Sequence, residues 1–100
     1  MDFEVIWTEP AFEDVERIWR YIARDDPDAA DRIRDGLFAL TALLARSPYL
    51  GAVYERDRSG RTRELSYRLY RIFYEVRDDV ARIEILHVRH GRRDEPGHLG

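Results

Sequence analysis

Arginine and histidine, the side chains that bind phosphate and move protons near neutral pH, concentrate in residues 61–93 of this chain. Two of the three histidines, His87 and His90, lie in this stretch. Arginine recurs inside two strand-like runs and doubles at their end, at Arg68, Arg71, Arg82, Arg89, Arg92 and Arg93. Guanidinium groups among strand residues give a sheet a cationic face or rim, which we take as the candidate functional surface.

Each of these residues also has a structural interpretation. Opposite charges on adjacent strands commonly pair, so Arg71 is expected to pair with Glu75 or Glu84. His87 and His90 are three residues apart in a strand and point to opposite faces unless a bulge lies between them. That spacing argues against a shared metal site, and no third ligand is evident in the sequence. We therefore predict no metal and no cofactor.

The first half of the chain predicts one strand and two helices. Residues 3–7 alternate in hydrophobicity, and Thr8 then caps a helix whose wet face includes Asp14. Asp26 followed by proline starts a second helix, and residues 46–48 end it. Two helices with so short a link form an antiparallel hairpin. The second helix has a sustained apolar stripe: Ala30, Ile33, Leu37, Leu40 and Leu44.

The second half predicts a polar, mobile connection over residues 49–60 and then three strands. In the last strand Ile83 and Ile85 share one face while Leu86 and Val88 share the other. Either both faces are partly covered or a bulge shifts the phase near Ile85. The predicted fold is α+β in the order βααβββ, an antiparallel meander packed against an N-terminal helix hairpin. Residues 1–93 are expected to form a single domain, and residues 94–100 to be a frayed tail.

Charge is distributed unevenly along the chain. The net charge is −3, yet residues 1–53 carry six arginines against eleven acidic residues, and residues 54–93 carry eleven against seven. This layout favours an acidic partner at one surface rather than general polyanion binding. The chain has no cysteine, and none of its apolar runs approaches the roughly 18 residues of a membrane span. We expect a cytoplasmic protein without membrane contact.

Five short motifs follow one another at fixed places: TEPA at residues 8–11, DPDAA at 26–30, REL at 63–65, YRIFYEV at 70–76 and ILHVRHGRR at 85–93. In this order and at these spacings the chain resembles the RelE/ParE superfamily of type II toxin–antitoxin toxins. The resemblance spans nearly the whole chain. It implies one of two activities: RelE-like members cleave mRNA on the ribosome, and ParE-like members poison DNA gyrase without the nuclease residues.

Part of the RelE-like site carries over. Arg71 stands where RelE-like enzymes keep an arginine in the middle strand, and Arg93 resembles their second arginine. RNA cleavage needs a base for the 2′-hydroxyl, cations for the phosphorane and an acid for the leaving oxygen. If the chain is RelE-like, Arg71 and Arg93 stabilise the negative charge of the phosphate, and His87 or His90 acts as the base or the acid.

Other positions favour the ParE-like branch. Thr62 and Glu64 stand where RelE-like enzymes carry lysines, and no tyrosine follows Tyr74 to match their C-terminal tyrosine. The isoelectric point near 5.6 also counts against a ribosome binder, which must work in a dense phosphate field. These differences move our expectation from an endoribonuclease to a toxin that binds its target.

The resulting prediction is a toxin that inhibits DNA gyrase by binding and stabilises a plasmid together with a cognate antitoxin encoded nearby. A hetero-oligomer with that antitoxin is expected. The alternatives are a RelE-like ribosome-dependent mRNA endonuclease and a degenerate member that only binds antitoxin. The residues expected to contact the target are Arg63, Arg71, Arg89, His90, Arg92 and Arg93.

Overall fold

A computed structural model describes residues 2–91 and confirms the α+β class and the predicted order of elements. Arg92, Arg93, the domain boundary at residue 93 and the tail at 94–100 lie outside the described residues. The helices are α1 (Glu9–Ala23) and α2 (Pro27–Ala42), the latter extended by a 3₁₀ turn at Leu43–Ala45. The strands are β1 (Glu4–Trp7), β2 (Ala52–Val53), β3 (Thr62–Tyr67), β4 (Tyr70–Arg77) and β5 (Arg82–His90).

The strands form one five-stranded sheet in the order β1-β5-β4-β3-β2. Strands β3, β4 and β5 form the predicted antiparallel meander. Two further strand pairings were not predicted from the sequence. Strand β1 runs parallel to β5, and the short β2 pairs with the edge of β3. Both helices lie against one side of the sheet. Within residues 2–91, neither helix has the length and apolar character needed to cross a membrane.

Both helices begin at the capping residues that the sequence predicts. The Thr8 hydroxyl accepts a hydrogen bond from the Ala11 N–H at 3.4 Å and donates one to the Ile85 carbonyl at 2.7 Å. Thr8 therefore provides an acceptor for a backbone N–H in the first turn of α1 and also links the helix to β5. Asp26 accepts from the Ala29 N–H at 3.0 Å, and Pro27 occupies the first turn of α2.

The core lies between the helix hairpin and the sheet. In the predicted apolar stripe, Ala30, Leu37 and Leu44 are fully buried, whereas Ile33 and Leu40 pack at the margin of the core. Strands β4 and β5 contribute one face each, with side chains that are almost inaccessible to solvent: Ile72, Tyr74, Ile83, Ile85 and Val88. The predicted stripe is thus confirmed as the face of α2 and of the following 3₁₀ turn that packs on the core.

A β-bulge resolves the phase change in β5. Phe73 lies opposite His87, but the next residue of β4, Tyr74, lies opposite Ile85. Leu86 is the extra residue, and it shifts Val88 onto the same face as Ile85. Of the two possibilities left open by the sequence, the bulge is therefore confirmed. It also decides which side chains of β5 face away from the helices.

The connection at 49–60, expected to be mobile, is tied to the rest of the fold. The Tyr74 hydroxyl accepts from the Gly51 N–H at 2.8 Å and donates to the Pro48 carbonyl at 2.9 Å. Further along, the Asp57 carboxylate accepts from the Thr62 N–H at 2.9 Å. Hydrogen bonds from Thr62 and Ser59 hold the pKa of Asp57 well below its usual range. Composition alone did not reveal these contacts.

Candidate functional site

The register of the meander gathers the candidate residues on the side of the sheet opposite the helices. Cross-strand partners share a face, and Arg71 is paired with Ser66 on β3 and with Arg89 on β5. In the neighbouring rung, Phe73 is paired with Glu64 and His87. We call this side the open face, defined by these six residues. Three of the predicted residues, Arg71, His87 and Arg89, lie on it.

Arg71 forms an ion pair on this face with a residue that the sequence did not suggest. Its Nη2 donates to Oε2 of Glu64 on the adjacent strand. The predicted partners, Glu75 and Glu84, are therefore wrong, because the register places Glu64 one rung from Arg71. Glu84 instead lies within 3.7 Å of Arg77 and 3.8 Å of Arg82.

Two aromatic rings support the Arg71 guanidinium. Its central carbon lies 5.1 Å from the ring centroid of Phe73 and 5.8 Å from that of Tyr54. The two rings meet edge to face at 4.9 Å, and Tyr54 covers Phe73, which is only 1% exposed. The connection before β3 thus places the Tyr54 ring on the open face, in contact with Phe73 and beside Arg71.

Arg89 is held by a second carboxylate, Asp14 of α1. Its Nη1 lies 2.7 Å from Asp14 Oδ2, and the Val88 N–H donates to the same oxygen at 3.0 Å. Arg17 adds a contact of 3.2 Å to Asp14 Oδ1. Asp14 was expected on the wet face of α1, which is wrong, because β1 ends opposite Ile85 and leaves the edge of β5 beyond it for α1 to cover.

His87 lies beside the same carboxylate. Its Nδ1 is 3.2 Å from Nη2 of Arg89 and 3.4 Å from Oδ2 of Asp14. Nδ1 can accept from the Arg89 guanidinium or donate to the Asp14 carboxylate, and the tautomer of the ring decides between the two contacts. In either case His87 is held through Nδ1 beside the pair of Asp14 and Arg89.

Arg63 and His90, the other predicted residues within the part of the chain that the structure describes, are not among the six residues of the open face. By its register His90 lies on the side of the helices, where its ring meets that of Tyr70 at 5.5 Å, yet it lines one cavity of about 470 Å³ together with Glu64 and Arg71. Arg63 lies on the same side; its Nη1 donates to the Gly51 carbonyl at 2.7 Å and its guanidinium covers the Tyr49 ring at 4.8 Å. Among residues 2–91, no three histidine or acidic side chains are close enough together to hold a metal ion.

Sequence reasoning missed three residues of the site: Asp14, Tyr54 and Glu64. For Asp14 a signal existed, because it follows Ala11 by three residues and precedes Ile18 by four, which places it on the apolar stripe of α1. For Glu64 the register of β3 against β4 would have been needed. Nothing in the polar segment around Tyr54 indicates that its ring returns to the sheet.

A second surface feature lies between the two helices. Aromatic side chains of β1, α1 and α2 cluster there, with ring centroids 4.7 Å apart for Trp7 and Phe38 and 5.9 Å apart for Phe12 and Phe38. Phe12 remains about half exposed (49%). The cluster forms one wall of a groove of about 400 Å³, lined by Phe12, Val15, Glu16, Trp19, Arg20, Arg34 and Phe38.

The sequence of the chain matches a family of toxins. The model of a family described as ParE toxin of the type II toxin–antitoxin system parDE matches residues 5–95. No curated protein sequence matches the chain.

Solved structures agree on the fold. The chromosomal ParDE system of P. aeruginosa aligns with a TM-score of 0.74 at 18% identity, covering 90% of this chain and 97% of the other. A free mutant of E. coli RelE gives 0.68 at 16% identity, with 99% and 93% covered. The toxin–antitoxin complex RelBE2 from Mycobacterium tuberculosis gives 0.64 at 22%, with 90% and 99% covered. Because these identities are low, the structures establish a shared fold only.

Proposed function

This chain belongs to the ParE toxin family of type II toxin–antitoxin systems, and we propose that it acts by binding DNA gyrase rather than by cutting RNA. Gyrase works in the cytoplasm, which is therefore where the toxin would act. We assign contact with the target to the basic segment of the sequence from Arg89 to Arg93. In this proposal no residue performs chemistry.

The observation that carries the proposal is the pairing of both open-face arginines with carboxylates of the same chain. Arg71 is paired with Glu64, and Arg89 is paired with the buried Asp14. A ribonuclease needs cations whose charge is available to the phosphorane as it forms. Here an RNA phosphate would compete at each arginine with a carboxylate that is already in place. These contacts suit a structural face better than a catalytic one.

One observation favours a ribonuclease as the second candidate. Arg71, His87 and Arg89 lie together on the open face, next to the rings of Tyr54 and Phe73. Cations beside aromatic rings are a common way to hold single-stranded RNA. If this candidate is correct, Arg71→Ala should lower the cleavage rate by about 10²-fold or more while ribosome binding survives.

The proposed partner is an antitoxin encoded by an adjacent gene. Toxin–antitoxin complexes are among the solved structures that share this fold. We assign the antitoxin to the groove between α1 and α2, because that groove exposes Phe12 beside Trp19 and Phe38. An amphipathic segment that folds on binding would bury this apolar surface. A degenerate toxin would keep this interaction and lose the one with gyrase.

The test of the proposal is made in growing cells. Expression of the toxin alone is expected to arrest growth, and co-expression of the adjacent gene is expected to restore it. DNA recovered from the arrested cells should carry covalently attached gyrase, and mapped mRNA should show no new ends. New mRNA ends without gyrase attachment would establish the ribonuclease instead. Normal growth with folded toxin present would point to the degenerate member.

A further inference from the structure

The two most exposed large apolar side chains of the described residues lie near one another. Tyr21 is 72% exposed in the last turn of α1, and Leu69 is 66% exposed in the turn between β3 and β4. Both are neighbours of Tyr70. Leu69 precedes it in the chain, and burial, followed by the charge of the nearby Tyr21 hydroxyl, raises the pKa of Tyr70 above its ordinary value of 10. We call this surface the end patch, defined by Tyr21, Arg68 and Leu69.

The turn in the end patch is built from residues that a two-residue hairpin turn does not favour. Arg68 has a φ of 53°, in the left-handed region where glycine and asparagine are the usual residues. Leu69 exposes an apolar side chain where small polar residues are common. Backbone strain of this kind costs stability, and it concentrates at functional sites. The residues of the turn therefore suit binding better than they suit folding.

The turn is also held in one position. The Gly91 N–H donates to the Leu69 carbonyl at 2.6 Å, which fixes the turn to the end of β5. Nε of Arg68 donates to the Tyr67 hydroxyl at 3.4 Å, and its guanidinium lies 5.7 Å from the centre of that ring. A surface fixed in this way loses little conformational entropy when a partner binds.

The end patch is separate from the groove assigned to the antitoxin and adjoins the segment assigned to gyrase. Tyr21 follows Trp19 of the groove by two residues, which places the two side chains about 160° apart around α1. By contrast, Leu69 is bonded to Gly91, which belongs to the basic segment from Arg89 to Arg93. The end patch therefore continues the segment that we assign to the target.

From these observations we infer that Tyr21, Arg68 and Leu69 are contact residues for gyrase. They form the apolar part of a surface whose basic part is the segment from Arg89 to Arg93. The matching surface of gyrase combines apolar side chains with carboxylates, because both parts must be complemented. The inference rests on the proposed function and deepens it, since the sequence suggested only charged residues as contacts with the target.

The experiment measures the affinity of the purified full-length toxin for gyrase by biolayer interferometry. Tyr21→Ala and Leu69→Ala should each bind gyrase about tenfold more weakly than the wild type, because each removes apolar contact area. Leu43→Ala is the matched control, because Leu43 is 56% exposed in the 3₁₀ turn after α2, outside the end patch. It should bind gyrase like the wild type. All three variants should keep their affinity for the antitoxin, which together with thermal melting shows that they are folded.

Arg68→Gly separates the role of the turn in binding from its role in stability. Glycine adopts a φ of 53° without strain, so this variant should melt at a temperature no lower than that of the wild type. It should nevertheless bind gyrase about threefold more weakly, because a guanidinium is lost from the interface. Raising the salt concentration should shrink this difference and leave the losses in Tyr21→Ala and Leu69→Ala unchanged.

Three results would overturn the inference. The first is an affinity of folded Tyr21→Ala and Leu69→Ala for gyrase equal to that of the wild type. The second is an equal loss in Leu43→Ala, which would mean that any exposed apolar side chain has this effect. The third is a loss of antitoxin affinity in place of gyrase affinity, which would assign the end patch to the antitoxin. In all three the wild type still binds gyrase. They are therefore distinguishable from failure of the proposed function, in which the wild type itself does not bind and both proposals are wrong.

Discussion

Asp14→Ala is expected to destabilise the protein strongly, although the sequence predicted that Asp14 would lie on the solvent-exposed face of α1. The change removes the acceptor of the Val88 N–H, a buried backbone group whose orphaning costs about 1–3 kcal/mol. It also leaves the Arg89 guanidinium without the carboxylate 2.7 Å away. Breaking a buried ion pair from one side costs about 3–5 kcal/mol, and the two losses overlap because one carboxylate serves both donors. We therefore expect Asp14→Ala to lower the free energy of unfolding by about 3–5 kcal/mol.

This loss is large for a domain of 100 residues, whose stability is about 5–15 kcal/mol. Urea unfolding followed by tryptophan fluorescence measures it, and an unchanged m-value shows that the denatured state is the same. Asp14→Asn keeps an acceptor for the Val88 N–H and should lose less. Asp35→Ala is the control, because its side chain is 69% exposed and pairs only with Arg34 among the described residues. A loss below about 1 kcal/mol in Asp14→Ala would refute the reasoning.

Three further predictions concern the core, the connection and the helix groove. Leu37→Ala should cost about 2–5 kcal/mol in the same unfolding assay, and a loss below about 0.5 kcal/mol would mean that the buried face of α2 is misplaced. Tyr74→Phe leaves the Gly51 N–H without its acceptor and should cost about 1–3 kcal/mol. Burial raises the pKa of the Tyr74 hydroxyl above its ordinary value of 10 in the folded protein. The unfolded chain therefore ionises first as pH rises above 10, and the wild type should lose stability there. The same alkaline loss in Tyr74→Phe would exclude this cause. Phe12→Ala should weaken antitoxin binding about tenfold, measured by calorimetry, and leave gyrase inhibition unchanged; unchanged antitoxin affinity would move the antitoxin to another face.

Most of the fold was predictable because it depends on local signals. Thr8 and Asp26 are strong capping residues, so both helices begin where the sequence places them. The apolar stripe of α2 identifies Leu37 as core, and the phase change near Ile85 indicates the bulge. Each of these features is encoded by residues close to one another in the chain.

The candidate site was less predictable because it depends on pairs that are distant in sequence. Asp14 meets Arg89 only because β1 lies parallel to β5 and ends early, which no local pattern encodes. Arg71 pairs with Glu64 because of the register between β3 and β4, and a one-residue slip would have put Glu64 on the other face. The residue types were therefore recognised, and their partners were not.

The central claim is that this toxin binds gyrase and has no ribonuclease activity, and one paired measurement tests it most directly. Purified toxin is added to gyrase with plasmid DNA and, in parallel, to ribosomes translating a defined mRNA. We predict that linear plasmid accumulates after protein digestion only when gyrase and toxin are both present, while toeprinting shows intact mRNA. Cuts in the ribosomal A-site codon that vanish in Arg71→Ala, with no linear plasmid, would contradict the claim.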